Sequence, residues 1–527
     1  MGSFVNPTNT AFSKCFNSEI YVDKSELIAF TNKKINSLQQ YICSTRPRRF
    51  GKTMAVDMLA AYYSKGCDSR KLFEKLKISS DSDFEKHLNK YDVIKFDMQN
   101  FCNNAYANNK QLIPYITESI ARELSMEFDE CDIDFTMSIS VILREINRIT
   151  GRQFIILIDE WDAIFRLYPQ NTELQTQYID FLRSLFKGME PDEFVALAYI
   201  TGILPVKKYN TESALNNFIE YTMLLPGPMA EFVAFTENEV VDLCSQYDVD
   251  FGLMQKWYNG YYFKRVGHVY NPNSIINCIQ MGEFSNYWTQ TSAYESLKFY
   301  IDINMDGLKD DIIAMLAGVK VHVDTLSFQN DMVSFVNKND ILTLLIHLGY
   351  LAYEFDTKEV FIPNLEIRTV FETTVRNSHW DGVATALAQS QKLMDATLRK
   401  DANTVAKLIR SVHIQNTSLL AYNDENSLSC VIAIAYYCAQ NEYVLKREVP
   451  LGEGFADVVF IPKKNVDKPA LVVELKYDKS ADKALDQIYE KQYADELADY
   501  TGKALLVGIN YNSKTKEHRC VIEEIVK

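Results

Sequence analysis

Along the first part of the chain, short apolar runs alternate with longer stretches in which apolar residues recur at helical spacing. Leu38 to Ser44 and Phe194 to Gly202 read as buried strands, Tyr91 to Asp97 alternates like a strand, and Phe154 to Ile158 is continuously apolar. Between them, Met54 to Tyr62, Leu112 to Leu124 and Ser138 to Ile149 have the period of helices. This alternation predicts an α/β fold with a doubly wound parallel sheet, whose ligands bind beyond the carboxyl ends of the strands. Asp23 and Glu26 have the spacing of a capping box at a helix start.

From about Phe235 the pattern turns helical, through Thr236 to Val241, and leads to an aromatic cluster, Trp257 to Phe263. With Lys256, Lys264 and Arg265 beside it, the cluster could stack bases, but the core of a small helical lid is the plainer account. Ile341 to Leu348 forms a helical run that stops at Gly349. Two strand-like runs, Tyr350 to Phe355 and Glu359 to Ile362, then flank Asp356-Thr357-Lys358. Helix plus hairpin predicts a winged-helix-like module, although the helix carries too few bases to be expected to read DNA. His347 lies on it as a core or boundary histidine. The last part reads helix (Asp424 to Tyr436), strand (Gly452 to Ile461), strand (Ala470 to Lys476), helix (Ala484 to Tyr489) and strand (Ala504 to Ile509).

Candidate chemistry sits where these elements end. Between the first strand and its helix runs Arg46-Pro47-Arg48-Arg49-Phe50-Gly51-Lys52-Thr53, the strand, loop, helix context of a phosphate-binding loop. The first amides of such a helix lack partners inside it and, with the helix dipole, attract phosphate oxygens. Arg48, Arg49, Phe50, Gly51, Lys52 and Thr53 are therefore candidate nucleotide-binding residues. Lys52 would reach the outer phosphates and Thr53 would ligate magnesium. Arg46 stands where the usual GxxxxGK(S/T) pattern has its first glycine. The apolar run Phe154 to Ile158 delivers Asp159-Glu160-Trp161-Asp162. There Asp159 would hold magnesium and Glu160 would orient or deprotonate the attacking water. Thr201 is placed to sense the γ-phosphate or the water, unless it merely satisfies a turn.

In the last part, charges sit inside apolar strands. Glu474 and Lys476 share a face, since strand side chains repeat every second residue, and Asp457 could meet Glu474 across a hairpin. Converging carboxylates hold a hard divalent cation, and a neighbouring lysine can contact a phosphate or the attacking water, which is equipment for phosphodiester hydrolysis. Glu425 could add a third carboxylate. The plainer account is a solvated strand face with an ordinary Glu/Lys pair.

Composition narrows the setting. At 527 residues the chain is too long for one core, so about three domains are expected, and 47% hydrophobic residues supply core for them. A net charge of −15 excludes a generally basic nucleic-acid binder and leaves phosphate contacts to local patches. The ten cysteines have no CxxC pair or Cys/His metal spacing and read as reduced thiols. Residues 1–7 lack a basic-then-apolar signal, and no apolar run approaches the roughly 20 residues of a membrane helix. A cytoplasmic protein with no membrane partner is expected.

Taken together, YVDKS, RPRRFGKT, ILIDEWD, YITGIL, FTENEV, WYNGYYF, VYNPNSI, HLGYL and IPNLEIR, followed by GEGFADVVF, VVELKY and ALDQIYEKQY, resemble the blocks of a bacterial family. Its members join an AAA-ATPase-like domain to a carboxyl-terminal PD-(D/E)XK nuclease-superfamily domain. The resemblance covers nearly the whole chain; Trp161 replaces the tyrosine usual in the acid block. It implies ATPase positions at Lys52, Thr53, Asp159 and Glu160 and nuclease positions at Glu425, Asp457, Glu474, Lys476 and Gln487. It also implies an AAA-ATPase-like P-loop domain over 1–235, a helical lid and winged-helix-like region over 236–375, a helical connector over 376–415 and a PD-(D/E)XK nuclease-like α/β domain over 416–527. The expected protein is a P-loop ATPase that uses ATP and Mg2+, coupled to a nuclease using Mg2+ or Mn2+ on DNA, with RNA and homo-oligomerisation left open. The alternative is a nucleotide-switched binding or scaffold protein with a catalytically inactive nuclease fold.

Overall fold

The computed structural model describes residues 2–188, 190–206, 208–209, 212–213, 215–288, 297–301, 305–330, 332, 334–377, 381–416, 432, 435–451, 454–463, 466–477, 503–512, 515 and 517–525. The chain forms two compact units. One holds Met1–Tyr287 with Val323–Glu366, and the other Trp288–His322 with Ile367–Lys527. Among the described residues no helix is long and apolar enough to cross a membrane.

The first unit is built on a parallel sheet of β1 (Tyr41–Thr45), β2 (Asp92–Asp97), β3 (Phe154–Asp159), β4 (Val195–Gly202) and β5 (Ile219–Tyr221). Their spatial order is β2-β3-β4-β1-β5, and every pairing is parallel. β1, β3 and β4 are buried along their whole length, which is why β3 and β4 are largely apolar rather than alternating. The order brings the carboxyl end of β4 between those of β1 and β3, so three loops meet at one edge. The helix Ile139–Thr150 turns a face of Ile139, Ile142, Leu143 and Ile146 into the core beside Phe154, Ile156 and Ile158.

Two local expectations are corrected. Leu38 lies outside β1 and is 96% exposed. A turn closed by the Gln40 amide on the Ser37 carbonyl (3.0 Å) occupies that stretch, so the chain enters the sheet only at Tyr41. Asp23 and Glu26 do not form a capping box. The helix Glu26–Asn32 is capped by Ser25 without a side-chain bond. Asp23 instead accepts from the Ser25 amide (2.8 Å) and the Lys77 amide (2.7 Å), tying two segments together.

Beyond β5 the first unit adds a small antiparallel sheet of β6 (Phe235–Thr236), β7 (Tyr261–Phe263) and β8 (Gly267–Tyr270), with helices Glu237–Tyr247, Phe251–Tyr258 and Pro272–Met281. Thr236 and Glu239 make a complete capping box there. Tyr258, Tyr261 and Phe263 are buried and Tyr262 is exposed, so the aromatic cluster serves as core. The helix Lys338–Leu348 ends at Gly349 and is followed by the antiparallel pair β9 (Ala352–Glu354) and β10 (Glu359–Phe361), the winged-helix-like arrangement. His347 is buried against Phe328, and burial holds its imidazole down to about 3.

The second unit ends in a mixed sheet, β11 (Tyr443–Leu451), β12 (Gly454–Pro462), β13 (Ala470–Tyr477), β14 (Ala504–Asn512) and β15 (Glu517–Ile525), in that spatial order. Only the β13–β14 pairing is parallel.

Candidate functional site: a phosphate loop facing two strand-end acids

The loop after β1 leaves the sheet with the Arg46 amide bonded to the Gly202 carbonyl at the end of β4 (3.0 Å). Its left-handed positions are Arg49 (φ 65°) and Gly51 (φ 94°), not Arg46, so the missing first glycine imposes no positive φ on a side chain. Gly51 caps the helix Lys52–Tyr63, and a glycine is suited to that left-handed cap.

The Arg46 side chain is wholly buried beneath the loop. It donates to the carbonyls of Thr45 (2.8 Å) and Tyr221 (3.1 Å), and its guanidinium lies 5.3 Å from the Phe263 ring centroid. Burial pulls it down to about 10, and its Nε and Nη2 have no hydrogen-bond partner among the described residues. Phe50 also points away from the helix start, edge-on to Tyr261 at 5.7 Å. The Phe50 ring is buried core, and its backbone lies on the loop.

Lys52 is buried, and its Nζ donates to the Pro47 carbonyl (2.8 Å). Burial lowers it to about 8, against the pull of Glu160, Asp159 and Asp162. The next residue, Thr53, lies near the end of β3, where it favours the charged form of Asp159. Burial raises Asp159 to about 6, with Thr53 and Lys52 opposing. A hydroxyl and a carboxylate near a lysine are a donor set suited to a hard cation and to phosphate oxygens. The adjoining cavity, of about 810 Å³, is lined by Arg48, Arg49, Gly51, Lys52, Thr53, Glu160 and Arg166 among others, and is wide enough for a nucleotide.

Glu160 takes a left-handed backbone (φ 51°), and its amide donates to Asp159 Oδ1 (3.0 Å). Burial would raise its carboxyl, but Arg166, helped by Lys52 and Arg48, outweighs that and holds it below the usual carboxylate range. Arg166, which sequence reading passed over, donates to Glu160 Oε2, and its Nε lies 3.3 Å from Asp162 Oδ2. The signal was present: Asp162 and Arg166 are spaced i,i+4 across the short helix Ala163–Leu167.

Asp162 is fully buried, and its Oδ2 accepts from the amides of Ile203 (3.1 Å) and Leu204 (2.9 Å). The Trp161 amide donates to the Thr201 carbonyl (3.0 Å) and its indole to the Leu204 carbonyl (3.0 Å). Residues 161 and 162 thus clasp the end of β3 to the end of β4. Gly202 permits this: a Cβ there would stand 2.5 Å from Asp162 Oδ1 and 2.7 Å from Trp161 Cδ1.

Thr201 is buried, and its hydroxyl donates to the Ser44 carbonyl on β1 (2.6 Å). In this structure the hydroxyl proton serves the neighbouring strand.

In the second unit, Glu474 and Lys476 lie on β13, 1% and 7% exposed, with Lys476 Nζ donating to Glu474 Oε1 at 2.9 Å. Val458 pairs with Val473, so Asp457 on β12 stands one step further along, at the level of Glu474. On the other side Asn510 of β14 is opposite Lys476, buried, with its Oδ1 unpartnered among the described residues. Glu425 and Gln487 lie outside the described residues.

Comparison with known proteins agrees with both halves. Residues 10–211 match the predicted AAA-ATPase family (AAA-ATPase-like). Residues 424–520 match the PD-(D/E)XK nuclease superfamily. The "Uncharacterized protein in vnfD 5′ region" of Azotobacter chroococcum mcd 1 is 22% identical over 394 residues, 72% of this chain and 71% of that protein. Among solved structures, the Aeropyrum pernix ORC2 protein (ADPNP-ADP complexes) has a TM-score of 0.32 at 11% identity, over 69% of this chain and 97% of that one. A DNA replication initiation factor has a TM-score of 0.25 at 12% identity, over 80% and 96%. The chain thus joins an amino-terminal region that matches the predicted AAA-ATPase family model to a carboxyl-terminal region that matches the PD-(D/E)XK nuclease superfamily model.

Proposed function

We propose that this chain is an ATP-binding P-loop ATPase coupled to a metal-dependent nuclease domain that acts on nucleic acid, with DNA as the favoured substrate. The observation that carries the ATPase half is a cavity of nucleotide size lined jointly by Lys52 and Thr53 of the loop and by Glu160 after β3. Lys52 would leave the Pro47 carbonyl for the outer phosphates. Thr53 and Asp159 would hold Mg2+, which when bound neutralises charge between the β- and γ-phosphates. Glu160 would orient the attacking water. In the second region Asp457 and Glu474 would hold Mg2+ or Mn2+, Lys476 would face the scissile phosphate, and Glu425 and Gln487 would complete the site. We assign the boundaries at 235, 375 and 415 as part of the same proposal.

The alternative, a nucleotide-switched scaffold with a retired nuclease fold, has one observation in its favour: Lys476 is already paired with Glu474 Oε1 at 2.9 Å. One assay separates the two. Plasmid, single-stranded DNA and RNA are incubated with Mg2+ or Mn2+, with and without ATP, using the native chain and Lys52→Ala. Metal-dependent cutting that responds to ATP, with ATP binding lost in Lys52→Ala, is expected. ATP hydrolysis without cutting in either metal would favour the scaffold; unchanged ATP affinity in Lys52→Ala would overturn the phosphate-loop reading.

A further inference from the structure

We propose that Arg166 is a triphosphate-sensing arginine supplied by the chain itself, which exchanges the Glu160 carboxylate for the γ-phosphate when a nucleoside triphosphate enters the cavity, and so releases Glu160 to the attacking water. The inference rests on the ATPase reading above and deepens it.

Four observations bear on it. Arg166 lines the same cavity as Lys52, Thr53 and Glu160, yet its side chain is only 6% exposed, so it is built into the wall rather than waving from the surface. Its Nε end is held near Asp162, a residue fixed by two backbone amides of the β4 exit, so the guanidinium has a rigid pivot. Its Nη2 is bonded to Glu160, which means that the carboxylate assigned to the water is already engaged by a cation. Glu160 itself sits in a left-handed conformation at the end of β3, a position where a change of backbone state swings the side chain.

A γ-phosphate beside Lys52 would carry more negative charge than one carboxylate and offer three oxygens to the planar fork of an arginine. Arg166 can turn about its Asp162 pivot to meet it. In the hydrolysis that follows, the water oxygen bonds to the γ-phosphorus as the bond to the β,γ-bridging oxygen breaks. The proton of the water passes by way of Glu160 to solvent, and ADP and phosphate leave. Arg166 stabilises the charge on the transferred group. Arginines supplied in this way are worth about 10³ to 10⁵ in rate.

The experiment measures ATP and ADP affinity by calorimetry, single-turnover hydrolysis and melting temperature for the native chain, Arg166→Gln, Arg166→Lys, Glu160→Gln and Glu160→Gln/Arg166→Gln. Arg166→Gln should weaken ATP on the order of 10-fold while leaving ADP unchanged, because only the triphosphate meets the guanidinium. Its hydrolysis should fall at least about 10³-fold. Glu160→Gln should tighten ATP, since Arg166 no longer has to abandon a carboxylate, and the double variant should lose that gain.

An arginine that only braces the turn would weaken ATP and ADP alike and would leave the Glu160→Gln affinity where it was; that pattern overturns the inference. If Arg166→Gln does not fold, Arg166→Lys decides. It keeps a cation near Asp162 but lacks the fork, so unimpaired hydrolysis in that variant also overturns it. A native chain that neither binds nor hydrolyses ATP refutes the ATPase reading itself, and the inference with it. Native hydrolysis with Arg166→Gln within 3-fold of it refutes the inference alone.

Discussion

Replacing Asp162 tests whether the clasp between β3 and β4 holds the edge of the sheet that carries the site. In Asp162→Ala the amides of Ile203 and Leu204 lose their acceptor, and both residues are 1% exposed or less, so water does not readily replace it. Each orphaned donor costs about 1–3 kcal/mol. Arg166 at 3.3 Å loses one of its two carboxylates, and breaking such a buried pair costs about 3–5 kcal/mol. The same oxygen serves all three groups, so these costs do not add, and we expect about 4 kcal/mol in total. Asp162→Asn keeps an acceptor but removes the charge, for which about 1–2 kcal/mol is expected. Native-state hydrogen exchange at the Ile203 and Leu204 amides reads the local effect directly, where about 4 kcal/mol corresponds to roughly 10³-fold faster exchange. Protection within tenfold of the native chain in Asp162→Ala would refute the reasoning. So would an Asp162→Asn variant as damaged as the alanine, since that would assign the clasp to charge alone.

Gly202→Ala should destabilise the first unit by about 1–3 kcal/mol and slow ATP hydrolysis, because its Cβ pushes on Asp162 and Trp161; a melting temperature unchanged within error would contradict the contact at 2.5 Å. His347 is near its ordinary value, about 6.5, when unfolded and near 3 when folded, so only the unfolded chain takes up the proton between those values. Stability is therefore unaffected by this group above about pH 6.5 and is lost as pH falls toward 3. Urea unfolding at pH 7 and pH 5 should show the native chain losing about 2 kcal/mol more than His347→Phe, and equal losses would sink the assignment. Glu474→Ala leaves Lys476 buried without its carboxylate, so the second unit should melt earlier, and Glu474→Leu/Lys476→Met should recover the loss. Manganese titration of both variants shows whether Glu474 also holds metal, and unchanged affinity would remove it from the nuclease site.

The strands that sequence periodicity revealed best were those buried on both faces: β3 and β4 are continuous apolar runs because helices cover both sides of the sheet. The loop and the acids were legible because each follows such a strand. Strand order was not, since nothing in the spacing of Phe194 to Gly202 says that this strand inserts between β1 and β3. Leu38 misled because an apolar residue in a turn looks the same as the first residue of a strand. Phe50 and Thr201 were placed by their position in a motif, whereas their side-chain directions follow from packing against Tyr261 and from the Ser44 carbonyl. The i,i+4 spacing of Arg166 with Asp162 was legible, whereas its bond to Glu160, six residues away, follows from the folded turn.

The phosphate loop is anchored from behind at both ends. Arg46 is tied to the Thr45 and Tyr221 carbonyls and covered by Phe263, while the Phe50 carbonyl accepts from Ala234 (3.0 Å) and its ring abuts Tyr261. A glycine-rich loop must give up backbone freedom when phosphate arrives, and that loss subtracts from affinity. Here the loss is incurred when the chain folds, so the amides are set before any ligand is met. Restoring the customary glycine at position 46 should accordingly weaken nucleotide binding rather than improve it. Tyr261 and Phe263 would then act on affinity through the conformational entropy they remove, without being part of the loop itself.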